Sequence, residues 1–329
     1  MIGQFKQKSP VNSILLLILG LLIKAPLFLY NKPVPVSETD GKLYSQLIVP
    51  LFQIENGPLT TAVIAFALLY IQALLLNYLV NEYRLLPRHT YLPAMAYLLI
   101  TSLLPEWNYF SAPLLANTFI IWAFIQLFKL YNTQRGREII YNLGLITGIS
   151  AFIFFPSVLI TICLLIGIMT LRPFRLNELF LLLLGVLTPF YFYAVYLFLN
   201  DSLTVQNVFS DIHLQIPVIQ NSIWLSVSVA LLAIPFLIGG YFVQTNLHKM
   251  LIQSRKNWSI LLLYLLLAIF IPFVNTASSF ANWILLTVPF AAFHSSAYFY
   301  LTRKWVYMSL FLITLGVIIY QQYGTAIWR

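Results

Sequence analysis

Long apolar runs separated by short polar stretches fill this 329-residue chain from one end to the other. Each run is about 16 to 24 residues, and a helix rising 1.5 Å per residue needs roughly 20 to cross about 30 Å of hydrocarbon. Hydrocarbon offers no partner to a backbone N–H or C=O, and the polar–apolar alternation of a barrel strand is missing, so the runs read as helices. The pattern predicts them near residues 12–30, 59–80, 91–104, 112–131, 139–154, 157–171, 177–199, 222–243, 259–275, 283–301 and 305–322. That is an all-α polytopic transmembrane bundle of eleven helices, forming one transmembrane domain over residues 1–329.

The two shortest runs, "EIIYNLGLITGISAFIF" and "SVLITICLLIGIMTL", flank Pro156, which either turns the chain or kinks a longer helix. Charge decides between these. With a turn at Phe155-Pro156 and a cytoplasmic N-terminus, fourteen basic residues fall in the cytoplasm: Lys6, Lys8, Arg84, Arg88, Lys129, Arg135, Arg137, Arg172, Arg175, Lys249, Arg255, Lys256, Arg303 and Lys304. Lys32, Lys42 and Arg329 fall outside and Lys24 lies within the first span, which completes the eighteen Lys and Arg. That bias is the positive-inside pattern, and without the turn every later loop would invert.

Composition narrows the function classes. With 60% apolar residues, 8% charged residues and a mean hydropathy of +0.87, the chain cannot be wrapped into a water-facing globule. Its net charge of +9 needs no nucleic-acid partner, because basic cytoplasmic loops against anionic inner-leaflet lipid account for it. The first run, "VNSILLLILGLLIKAPLFLY", has no small-residue cleavage site behind it and reads as a retained signal anchor. The lone Cys163 permits no intrachain disulfide.

Acidic residues sort the other way: Glu38, Asp40, Glu55, Glu106, Asp201 and Asp211 fall outside, and only Glu82, Glu138 and Glu178 inside. Asp and Glu contribute little to orientation, so this reflects either chemistry or the ordinary polarity of loops in water. The first outer loop, "VPVSETDGKLYSQL", holds Glu38 and Asp40 one residue apart. In extended backbone they point the same way, where they could share a divalent cation or raise one another's pKa. Lys24, Lys32 and Lys42 flank this loop, which is where an anionic phosphate would need them. The plainer alternative is that Lys24 snorkels to the interface while Lys32 and Lys42 pair with the two carboxylates.

Two outer segments have an amphipathic pattern. "KLYSQLIVPLFQI" places Leu43, Leu47 and Ile48 on one helical face, and "TVQNVFSDIHLQIPV" repeats the theme. Both are either structural rims or the walls of a groove through which a lipid-borne substrate enters. "PEWNYFS" offers Glu106, Trp107, Asn108 and Tyr109, suited to stacking on and hydrogen-bonding a sugar ring, or to an interfacial aromatic belt. Asp211 and His213 are candidates to bind substrate or to join a metal or a base, although two ligands do not make a metal site and a solvated amphipathic loop is the plainer reading. His294, beside Ser295 and Ser296, reads as a bundle hydrogen-bond donor or a relay, and Gly144 and Gly148 as a close helix contact.

A retained first helix, an outer loop with an acidic pair and an amphipathic helix, then paired helices: this opening resembles the polytopic glycosyltransferases of the GT-C class. "AMAYLLITSLLPEWNYFSAPLLANTFIIWAFIQLFKLY", a basic loop and "GLITGISAFIFFPSVLI" are similar to that class's Pro-rich outer corner, long helix and small-residue hairpin. The likeness covers residues 12–199; residues 200–329 add an outer amphipathic loop and four helices. It implies a sugar donor on a polyprenyl phosphate, and a first-loop carboxylate that acts as base or helps to hold a divalent cation: Asp40, with Glu38 as partner. The chain departs from the class in lacking a large C-terminal outer domain and in having Thr39 between the two acids. The start "MIGQFKQKSPVN", with the chain as a whole, also resembles a bacterial inner-membrane family to which no activity is attached, and this implies that compartment.

No phosphate-binding Gly-rich loop, H-E-x-x-H, Cys/His cluster or G-x-S-x-G occurs. Three functions remain. The first is transfer of a lipid-linked sugar to an envelope acceptor on the outer face. The second is a non-catalytic membrane subunit of an envelope assembly or export complex, with envelope protein partners. The third, a transporter or flippase, would place charges in mid-span, where only Lys24 and His294 offer any.

Overall fold

The computed structural model describes residues 2–29, 40–52, 57–134, 136–209, 222–274 and 280–324. Among these, eleven helices have twelve or more residues: α1 Val11–Leu29, α2 Gly57–Glu82, α3 Leu92–Leu103, α4 Ala112–Lys129, α5 Gly136–Ile153, α6 Ile160–Leu171, α7 Leu176–Leu199, α8 Ile223–Asn246, α9 Ile252–Phe270, α10 Thr287–Tyr300 and α11 Lys304–Ile319. The described residues contain no strand, only an isolated antiparallel bridge between Asp40 and Phe154.

Among the described residues seven helical segments are long and apolar enough to cross a membrane: those of α1, α2, α4, α7, α8, α9 and α11. The expectation of eleven spans therefore holds at full length for seven. The other four are limited by length or polarity. Helices α3 and α6 have 12 residues each, so each rises about 18 Å, short of the hydrocarbon thickness. Helix α10 has 14 residues, and α5 opens on Arg137 and Glu138.

Short and long helices differ in what surrounds them. Every residue of α3 is buried, whereas only 22% of the α7 span and 28% of the α8 and α11 spans are. Their outward faces are hydrocarbon and aromatic: Leu184, Leu187, Tyr191 and Phe192 on α7, Leu237 and Tyr241 on α8. A helix enclosed by protein satisfies its backbone internally and needs no full lipid-matching length.

The predicted turn at Pro156 is present. Phe154 is extended, Phe155–Leu159 forms a 3₁₀ turn with Pro156 near its start, and α6 follows. The far ends of α5 and α6 meet: Arg172 Nη1 donates to Thr133 O at 2.8 Å and its guanidinium packs on Gly136. Arg172 also pairs with Glu178 at 3.3 Å.

Contacts between corners sort the bundle into two ends. At one end Tyr91 N–H donates to Phe5 O (2.8 Å) and Lys6 Nζ to Leu301 O (3.4 Å). Ser254 Oγ reaches Arg84 O (2.9 Å), Trp258 Nε1 reaches Leu85 O (3.1 Å), and Gln253 Nε2 reaches Phe128 O (3.2 Å). These corners carry thirteen of the fourteen basic residues counted above; Arg135 lies outside the described residues. At the other end Gly41 meets Ile153, Tyr44 meets Phe110, Trp107 meets Phe280, and Gln321 meets Trp224. Helix α9 begins at Ile252 rather than near 259, because Ser254 and Trp258 cap the carbonyls of the 83–85 corner and extend the helix through the basic end.

Gly144 and Gly148 do mark a close contact, and its partner is α7. A Cβ at either would strike the carbonyl oxygen of Leu182 or Val186, and one at Gly185 would strike α5 in return. The clash is with backbone, which cannot rotate away. Gly148→Ala therefore destabilises the protein by about 1–3 kcal/mol, read as a lowered unfolding midpoint in detergent. Gly240→Ala, where nothing lies within 4 Å, leaves the midpoint unchanged apart from helix propensity.

Candidate functional site at the end opposite the basic corners

Lys24 sits one turn beyond Gly20, where α1 passes close to Phe66 of α2 and Leu98 of α3. Its side chain is fully buried and does not snorkel. Nζ donates to Thr101 Oγ1 at 3.2 Å and to Asn108 Oδ1. Both partners are neutral, and no carboxylate pairs with this amine among the described residues. Thr101 turns its own hydroxyl to Tyr97 O (2.9 Å), so it accepts from Lys24 without leaving its helix. Inside hydrocarbon an amine must find its hydrogen-bond partners within the protein, and here two come from α3 and the turn that follows it.

That turn, Pro105–Asn108, is held from several sides. Trp107 Nε1 donates to Phe280 O (2.9 Å), and the Glu106 carboxylate accepts the Phe280 N–H. Ser228 Oγ and Gln322 Nε2 bond Leu103 O (3.4 Å) and Ser102 O (3.0 Å) just before it. Trp107 and Asn108 are buried, and Tyr109 is half-buried against the core. Asn108 is thereby fixed with Oδ1 on Lys24, while its Nδ2 has no acceptor among the described residues.

The first loop meets the bundle at the Phe154 corner. Asp40 bridges Phe154, and Gly41 N–H donates to Ile153 O at 2.8 Å. Only glycine permits this approach, since a Cβ on Gly41 would run into Phe152 O. As a result Asp40 is 7% exposed, although it belongs to a connecting loop. The next turn of chain buries Tyr44, whose ring lies 6.0 Å from that of Phe110. The Tyr44 hydroxyl has no partner among the described residues, and burial together with the nearby Asp40 pushes its pKa up, so it stays protonated. Lys42 is half-buried.

The amphipathic reading of this segment is corrected in detail. Tyr44–Ile48 is a π-helical turn, not a regular helix, and the buried positions are Tyr44 and Val49. Leu47, expected on the apolar face with Leu43 and Ile48, is 61% exposed. The loop is anchored by backbone at Asp40 and Gly41, and the Tyr44 ring turns inward to lie against Phe110, which leaves Leu47 facing out. In the second outer segment Val205–Val208 is helical, capped by Thr204. Glu38, Lys32, Asp211 and His213 lie outside the described residues. Among the described residues no three His, Cys, Asp or Glu gather in a way that could hold a metal ion.

Two further features belong to this region. Leu104 and Pro105 line an apolar cavity of about 400 Å³, shared with Trp224, Leu225, Phe280 and Tyr320. One turn inward from Thr101, Asn117 Nδ2 donates to Tyr97 Oη (3.0 Å), and Gln72 Nε2 bonds Leu114 O (2.7 Å) and Thr118 Oγ1 (2.6 Å). His294 is a bundle hydrogen-bonding residue, with Nε2 at 2.8 Å from Leu232 O. Sequence reasoning missed Thr101 and Tyr44. The one signal for Thr101 was a hydroxyl one helical turn from Tyr97 in an otherwise apolar run.

No protein-family model, curated protein or solved structure matches this chain.

The Lys24–Asn108 contact generates a stability prediction. Asn108→Leu strands a buried amine and lowers the unfolding free energy by about 2 kcal/mol. Adding Lys24→Met removes the stranded group, so the double variant is more stable than the sum of the two single changes by about 1–3 kcal/mol. Strict additivity in a double-mutant cycle contradicts the contact.

Proposed function

We propose that this multi-pass membrane protein is a GT-C-like transferase of the bacterial inner membrane, with its basic end in the cytoplasm. It passes a sugar from a polyprenyl-phosphate donor to an envelope acceptor at the opposite, outward end. The observation that carries the reading is the burial of Asp40. A carboxylate kept merely for loop solubility faces water, whereas this one is seated by two backbone contacts against the bundle, at the end where Lys24 and Asn108 meet.

Chemically, Asp40 suits the role of general base. One carboxylate oxygen takes the proton of the acceptor hydroxyl as that oxygen bonds to the anomeric carbon. The bond from that carbon to the phosphate oxygen breaks, and its electron pair leaves with the lipid phosphate. Charge grows on the phosphate as this happens, and a desolvated cation near it lowers the barrier. Lys24 supports that part of the reading. A divalent cation at Glu38 and Asp40 would serve the same end.

A non-catalytic role in an envelope assembly is the second reading, and one observation favours it: Glu106 and Trp107, the polar outer-corner residues suited to a sugar, both bond the backbone of Phe280. Asp40→Asn separates the two. A transferase loses about 10²–10⁴-fold in sugar transfer in membranes while the protein accumulates normally. Wild-type transfer by the variant removes Asp40 from catalysis and leaves the assembly role.

A further inference from the structure

Helix α8 carries Pro235 near its middle. Pro235 has no N–H to offer Leu231 O, and its ring pushes the preceding turn away. Prolines are tolerated inside a membrane where neighbouring helices take up the loosened backbone groups. Here α10 does so, with His294 Nε2 at 2.8 Å from Leu232 O. The two halves of α8 are held differently. Toward the basic end α8 meets α10 backbone to backbone: a Cβ on Gly239 would strike Phe293 O, and Ser296 Oγ donates to Gly239 O at 3.1 Å. In the half away from the basic end, residues 223–234, the ties run to Leu103 and to the end of α11, a π-helical turn over Tyr320–Gly324. The Trp224 ring lies 4.3 Å from that of Tyr320, and Gln321 Nε2 donates to Ser228 Oγ (2.9 Å) and Trp224 O (3.3 Å). These ties are made by side chains, which can part by rotation.

The face on which Pro235 lies sets the direction of bending. Ser228, Leu231, Leu232, Pro235 and Gly239 form one buried stripe along α8. A proline ring pressing on the turn before it from this stripe drives residues 223–234 away from the bundle, toward lipid. Those residues contribute Trp224 and Leu225 to the apolar cavity of about 400 Å³, whose other lining includes Leu104, Pro105, Phe280 and Tyr320. We propose that α8 is a hinged gate to this cavity. Pro235 is the pivot, the Gly239 contact with α10 is the fixed post, and the Trp224–Tyr320 and Ser228–Gln321 contacts are the latch. When the latch parts, residues 223–234 swing outward and the cavity opens sideways to the bilayer. Helix α7 also contains a proline, Pro189, but Phe190 beside it packs on Phe152 and Phe209, which closes that side. The gate uses neither Asp40 nor Lys24, so it does not rest on the transferase reading.

The test is a pair of spin-label distances, measured by pulsed electron spin resonance on the full chain with Cys163→Ala in nanodiscs. Leu59→Cys with Ile223→Cys joins α2 to α8 at the end away from the basic corners, and Tyr78→Cys with Tyr241→Cys joins the same helices at the basic end. All four positions are exposed. The first pair gives two distances or one broad distribution, and the second pair a single narrow one. Pro235→Ala returns an N–H to Leu231 O and collapses the first pair to its shorter distance. Trp224→Ala removes the ring that latches on Tyr320 and raises the ratio of long to short distances about two- to tenfold. Where Pro235→Ala does not accumulate in the membrane, Trp224→Ala decides alone. Equal widths for the two pairs overturn the gate, and so does a first-pair distribution that either accumulated variant leaves unchanged.

Discussion

In hydrocarbon nothing outside the protein accepts or donates a hydrogen bond, and most of this structure follows from that one constraint. Helices form wherever the chain is apolar, because only they close every backbone bond within one segment. Corners are tied by side chains to carbonyls, as Ser254 and Trp258 tie the 83–85 corner and Trp107 ties Phe280. Where two helices touch backbone to backbone, as α5 and α7 do at Gly144, Gly148 and Gly185, glycine is what remains. Buried polar side chains that break the apolar pattern find neighbours on other helices, as Gln72 does at Leu114 and Ser228 at Leu103, or a carbonyl one turn back on their own, as Thr147 does at Leu143.

The corner that carries the candidate site is assembled from three separate stretches. Helix α1 brings Lys24, the turn after α3 brings Asn108, and the first loop brings Asp40 and Tyr44. None of these stretches is held by the others' side chains alone. Gly41 joins the loop to Ile153 through backbone, and Glu106 and Trp107 join the turn to Phe280. Rigid supports of this kind hold a carboxylate and an amine in fixed places.

Much of the architecture was legible in the sequence because hydrocarbon length and loop charge are local signals. The helix positions, the turn at Pro156 and the gathering of basic corners at one end all come from counting along the chain. Length was less legible than position: α3 is shorter than a span and every one of its residues is enclosed by protein, and enclosure is not written in a run of leucines. The close contact at Gly144 and Gly148 was legible, but its partner on α7 was not, since packing partners depend on topology. For the site, Asp40 and Asn108 stood out as polar residues beside apolar runs. The partners of Lys24 lie 77 and 84 residues away, and Phe110, on which the Tyr44 ring of the first loop packs, is one of twenty-six phenylalanines. No local pattern signals either.

Disulfide trapping across the Asp40–Phe154 bridge tests the central claim most directly, because the corner exists only if the first loop is seated there. Paired residues on an antiparallel bridge lie about 4.5–5.5 Å apart at Cα, within the range a disulfide spans. In a chain with Cys163→Ala, the Asp40→Cys/Phe154→Cys pair should cross-link readily in native membranes, and Asp40→Cys paired with a cysteine at the basic corner, such as Arg84→Cys, should not. Failure of the first pair to cross-link, with both thiols freely labelled by a water-soluble reagent, would contradict the docked loop and the site built on it.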